Sequence, residues 1–177
     1  MDNQNNHSEI KDSPTIMETG IRFGSILALL SIILFLIPAV AGFNPFKGGW
    51  NWFGAGVSLL TMFWAQKKFK DDGDGFMSYG QGVSIIFWIA AISTVVSILF
   101  SYSYTTFIDD GPFEMFMIQQ EDEMIANGAP DDMIETSLTW TRKLFWIIGL
   151  VAGFIFTMIM GFVLTIFTKN QSKEAPF

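Results

Sequence analysis

Residues 144–168 read LFWIIGLVAGFIFTMIMGFVLTIFT, without one charged side chain. A helix needs roughly 20 predominantly apolar residues to cross the hydrocarbon core of a bilayer, and this stretch meets that length. Three further charge-free runs precede it: Phe23–Phe46, Gly48–Gln66 and Gly75–Ile108. A soluble domain of this size has no need of such runs. The fold expected from them is an all-α integral membrane bundle of four transmembrane helices. The spans fall at about 19–41, 50–66, 78–108 and 143–168 of a membrane domain covering 18–169.

The segments between the spans follow from their punctuation. Residues 1–17 are expected to form a polar, disordered cytoplasmic tail, and 170–177 a second one. Pro38 kinks or ends the first span. Leu27–Ile37 followed by Ala39-Val40-Ala41 has the outline of a secretory leader. The long region before it, with Glu9, Asp12 and Glu18, argues for a retained span instead. Lys67–Gly75 reads as a basic, then acidic, turn. Residues 109–141 are the acidic helical insert between spans three and four. Gly111-Pro112 with Glu114 starts its first helix, and Asn127-Gly128 ends it. Phe113, Phe116, Met117, Gln120 and Met124 share one face of that helix. From Asp131 no turn signal interrupts the chain, which predicts one helix running to about Phe167.

An even number of spans puts both tails on one side. Lys11, Arg22, Lys67, Lys68, Lys70, Lys169 and Lys173 then stand opposite Lys47, Arg142 and Lys143. Basic residues favour the cytoplasmic face, so both termini are expected there and the acidic insert outside. The bacterial inner membrane is the expected location.

Small residues recur at helical spacing. Gly149, Gly153, Thr157, Gly161 and Thr165 form a shallow groove along span four. Ser93, Ser97, Ser101 and Thr105 form a hydroxyl ridge on span three, and Gly20, Gly24 and Ala28 line span one. Such stripes let helix backbones approach closely. They serve either packing within the chain or a seam between copies, and the hydroxyl ridge also suits the wall of a solute path.

The chemistry for catalysis is missing from the pattern. The chain has no Cys, and its one His is His7. That argues against thiolate chemistry, His-based metal sites and a Ser-His-Asp triad. No ionisable residue lies in the middle of a span, as the coupling sites of pumps usually require. Lys70-Asp71-Asp72-Gly73-Asp74-Gly75 lacks the first and twelfth ligands of a calcium loop. A formal charge of −7 argues against nucleic acid as a partner. Neither a cofactor, a catalytic residue nor a metal ligand is expected. The bilayer itself, a second copy or a membrane partner protein are the expected associations.

Lys67-Lys68-Phe69, the acidic glycine turn, and Gly75-Phe76-Met77-Ser78-Tyr79-Gly80-Gln81-Gly82 entering span three form a distinctive junction. Together with the acidic helical insert, it resembles a bacterial family of four-helix membrane proteins, common in Bacteroidota, described as a domain of unknown function. The likeness extends over about 18–169. It implies a membrane location and brings no activity or site residues with it. The expected function is therefore a non-enzymatic membrane assembly or partner-binding role, with a small channel or transporter subunit as the alternative.

Overall fold

The computed structural model describes residues 14–46 and 49–170. Residues 1–13 of the expected tail at 1–17, residues 171–177 of the one at 170–177, and Lys47 lie outside the described residues. The described chain is all-α, with five helices: α1 Ile16–Val40, α2 Trp50–Asp72, α3 Tyr79–Phe107, α4 Gly111–Ala126 and α5 Asp131–Thr168.

Local chemistry sets the ends. Thr15 caps α1 and Ser78 caps α3, each in a reciprocal capping box, with Glu18 and Gln81 respectively. Pro112 sits in the first turn of α4, where its missing N–H costs nothing. Gly75 and Gly128 take positive φ of 84° and 73° at the α2–α3 and α4–α5 turns, a conformation costly to other residues. Pro38 is accommodated inside the last turn of α1.

One boundary differs from the expectation. The Lys67–Gly75 segment is not a turn throughout, because α2 continues to Asp72 and only Gly73–Gly75 turn. Lys68 and Asp72 pair at 2.7 Å one helical turn apart, which supports the extension. The uninterrupted α5 runs from Asp131 to Thr168.

Among the described residues, three helices are long and apolar enough to cross a membrane: α1, α3 and α5. α2 is not among them. Its 23 residues include Asn51 and Gln66, and its final turns carry Lys67, Lys68, Lys70, Asp71 and Asp72.

α1 and α3 run parallel. Gly20 lies against Ile85 and Trp88, Gly24 against Ile89 and Ile92, and Phe35 against Phe100 and Tyr104, so contacts advance together along both helices. α2 returns antiparallel between the far end of α1 and the start of α3. α5 runs antiparallel to α3, from Tyr102–Trp146 at one end to Gly82–Thr165 at the other. α4 folds back on the first turns of α5. The core of Leu27, Met62, Ala65, Met77, Ile85, Ile86 and Ile89 lies toward the α2–α3 turn.

The distribution of polarity is inverted relative to a water-soluble bundle. Gln66, Thr61, Ser93, Ser101, Thr105, Thr165 and Thr168 are buried. Ile147, Ile148, Val151, Ile155, Ile159, Val163 and Ile166 are exposed along α5, as are Leu60, Phe63 and Trp64 on α2. Only 6% of the most apolar part of α5 is buried, against 33% in α1 and α3.

Candidate functional site

The bundle has a closed end, an open cleft lined with hydroxyl residues and, beyond it, an aromatic cluster. The closed end is built on Gln66. Its Nε2 donates to Thr165 Oγ1 at 2.7 Å and to the Gly82 carbonyl at 3.3 Å, and its Oε1 accepts from Thr168 Oγ1. Thr165 in turn donates to the Gly161 carbonyl at 2.7 Å. Lys70 Nζ closes the C-terminal end of α5 by donating to the Thr168 carbonyl at 3.0 Å. The Gln66 amide thus ties α2, α3 and α5 together. Beside it, Met77 is fully buried and exchanges backbone hydrogen bonds with Asn170, whose Nδ2 also donates to the Gly75 carbonyl.

Toward the α1–α2 loop the helices separate around a chamber of about 340 Å³. Hydroxyls of Ser31, Ser58, Ser93, Thr94, Ser97 and Thr157 belong to its lining, with Asn51 at its edge, and every lining residue is uncharged. Ser58 and Ser93 donate to their own i−4 carbonyls, of Gly54 and Ile89. The buried Oγ of Ser97 has no hydrogen-bond partner among the described residues. A second cavity of about 200 Å³ shares Ser31, Asn51 and Ser58 and continues to Pro45 and Trp50. Trp50 Nε1 anchors this end by donating to the Leu34 carbonyl at 2.6 Å.

Phe46, from the α1–α2 loop, is the centre of an aromatic cluster. Its ring packs against Phe35 of α1, Phe116 of α4, and Phe145 and Trp146 of α5, at centroid distances of 5.6, 6.1, 5.2 and 6.0 Å. Phe113 joins the same cluster against Phe145 and Trp146. The apolar face of α4 is therefore spent on the bundle, and Glu121, Asp122 and Glu123 remain on its exposed side.

The small residues singled out in the sequence divide between these regions. Gly20 and Gly24 admit Trp88 and Ile89–Ile92 of α3, and a side chain at Gly20 would overlap Trp88. Gly161 receives Ile86, again with no room for a Cβ, and Thr165 fills the space over Gly82. Gly149, Gly153 and Thr157 line the chamber, where a Cβ on either glycine would sit in ordinary contact with Ile98 or Thr94, at 3.4 Å. Ser93 and Ser97 line the chamber as well, whereas Ser101 is buried nearer the aromatic cluster.

Gln66, Asn170, Met77 and Phe46 were not among the expected positions. An amide inside a charge-free run was the available signal for Gln66, since such groups seek partners on neighbouring helices. Among the described residues no group of three or more His, Cys, Asp or Glu side chains is placed to hold a metal ion.

The chain belongs to the family described as "protein of unknown function (DUF4199)", whose model matches residues 22–168, from Arg22 in α1 to Thr168 at the end of α5. No curated protein and no solved structure matches it.

Proposed function

We propose that the chain is a multi-pass protein of the bacterial cytoplasmic membrane that acts without enzymatic chemistry, by assembling in the bilayer with itself or a partner protein. The carrying observation is the inverted polarity: aliphatic side chains cover the outside of α5 while amides and hydroxyls are paired inside. In water that arrangement forfeits the hydrophobic stabilisation of folding; in hydrocarbon it costs little, and each helix satisfies its own backbone.

Four spans, α1, α2, α3 and α5, are the reading we adopt. The parallel packing of α1 and α3 supports it. If both cross the membrane in the same direction, α2 has to carry the chain back across the same thickness. Its charge-free part, Trp50–Gln66, rises roughly 25 Å, and snorkelling of the lysines in its final turns lets it match a core about 30 Å thick. The excess of basic residues on the tails and around the α2–α3 turn favours a cytoplasmic position for that end. α4 and the first turns of α5 then stand outside.

Association would use the outer apolar faces of α5 and α2, since Gly161 and Thr165 are occupied within the chain. Mild-detergent extraction, followed by native electrophoresis and cross-linking in membranes, tests this. A discrete oligomer or a stoichiometric partner supports the assembly role, and a strict monomer in both experiments opposes it.

The chamber favours a second reading, passage or binding of a small uncharged solute. Its hydroxyl lining and the Gln66 closure at its far end would make it an externally facing half-path. Solute flux into proteoliposomes that is lost in Ser97→Leu, with the fold retained, would select this reading over the first.

A further inference from the structure

The groove between α4 and the start of α5 carries a separate arrangement of charge. It encloses about 370 Å³, with Met117 and Leu138 in its apolar wall. Its charged members lie in register across the antiparallel hairpin. Glu114 faces Arg142, and one stripe further along, Glu121 and Glu135 line the same groove from opposite helices. Arg142 is already matched, donating to both carboxylate oxygens of Glu114 at 2.5 and 3.0 Å. Glu121 and Glu135 have no partner among the described residues. Lys143 has no carboxylate partner there, and its ammonium rests 5.6 Å from the Trp140 ring centre.

We infer that this groove is a binding site for the headgroup of an aminophospholipid of the phosphatidylethanolamine type, an inference that rests on the membrane reading above. The order of charge along α5 argues for it. Lys143 adjoins the apolar run that begins at Leu144, so it stands at the level of the lipid phosphates. Glu135 lies two turns further from the hydrocarbon, roughly 12 Å along the helix, and the long side chains shorten that gap from both ends. A phospholipid headgroup has the same polarity, phosphate nearer the acyl chains and amine beyond it. Lys143 meets the phosphate, and the two carboxylates accept hydrogen bonds from the ammonium. A primary ammonium has three such donors, whereas a trimethylammonium has none. Anionic lipids without an amine would place no cation between Glu121 and Glu135. Met117 and Leu138 lie between those two levels, where they flank the two methylenes that join phosphate to amine, and the acyl chains run along the apolar stretch from Leu144.

The test uses the full-length protein in mixed micelles, titrated with short-chain phosphatidylethanolamine, phosphatidylcholine or phosphatidylglycerol and read by native mass spectrometry. The expected result is tighter binding of phosphatidylethanolamine by roughly three- to tenfold, the scale of two exposed charge contacts. E121Q/E135Q removes that preference, and K143Q weakens binding of all three lipids. Both variants alter exposed side chains, and circular dichroism verifies their fold. Equal binding of the three lipids, or a preference that survives E121Q/E135Q, overturns the inference. So does calcium binding that depends on the two glutamates without any lipid preference. A wild-type chain that stays folded and monomeric in detergent-free buffer instead defeats the membrane reading itself, before any lipid is added.

Discussion

Gln66 of α2 and Thr165 of α5 are 99 positions apart in the chain and meet in a 2.7 Å hydrogen bond with both residues fully buried. This bond, its Thr168 companion and the Lys70 bond to the Thr168 carbonyl hold the α2–α3 end of the bundle closed. Replacing Gln66 by Leu leaves the two threonines their own i−4 carbonyls, of Gly161 and Leu164. The expected loss is therefore about 1–2 kcal/mol rather than collapse, within the measured range for polar contacts between membrane helices and buried hydrogen bonds. Reversible unfolding in mixed micelles measures it. An unchanged midpoint would mean the clamp does not stabilise the bundle.

The glycines of α5 should separate into two classes. Gly161→Ala meets the side chain of Ile86 with no space for the new methyl, so overpacking of about 1–3 kcal/mol is expected. Gly153→Ala adds its methyl at 3.4 Å from Thr94 beside an open chamber, and is expected to be neutral or slightly stabilising. Comparing the two variants in the same unfolding assay checks the α3–α5 packing. The same cost for both would contradict it.

Phe46→Ala removes the ring shared by Phe35, Phe116, Phe145 and Trp146, so α4 should open more easily from the bundle. Amide exchange in α4 is expected to be at least severalfold faster in the variant. Equal rates would show that Phe46 does not hold α4 in place.

The Glu114–Arg142 pair gives the α4–α5 hairpin a defined acid response. Hydrogen bonds from Arg142 hold the Glu114 carboxyl below its ordinary value of 4.5. A carboxyl depressed in the folded state contributes stability above its unfolded pKa and loses it as pH falls through the folded one. The hairpin is therefore expected to loosen only below about pH 4.5, and by less than about 1 kcal/mol, since both side chains are well exposed. Amide exchange in α4 against pH follows this, and Arg142→Gln should remove that acid-dependent component.

Much of the helical framework is legible in the sequence because its signals are local. Ser78 ahead of Tyr79, Gly111-Pro112 and Asn127-Gly128 mark helix ends by chemistry confined to a few residues. The unbroken path from Asp131 through Trp140 to Thr168 follows from the absence of any turn residue. What the sequence concealed depends on contacts across the fold. Gln66 and Asn170 are unremarkable until α5 brings Thr165, Thr168 and the α2–α3 turn beside them. Phe46 reads as a loop aromatic, and its role emerges only where α4 and α5 converge on it. The extension of α2 through Lys67–Asp72 was hidden because the same charges suit an exposed turn or the solvated end of a helix.

The crossing of a membrane by α2 is the central claim, and single-cysteine labelling from each side of sealed vesicles tests it most directly. With Phe43→Cys ahead of α2 and Asp71→Cys at its far end placed separately in the otherwise cysteine-free chain, the account predicts labelling of position 71 from the cytoplasmic side alone and of position 43 from the opposite side alone. Labelling of both positions from the same side would contradict it.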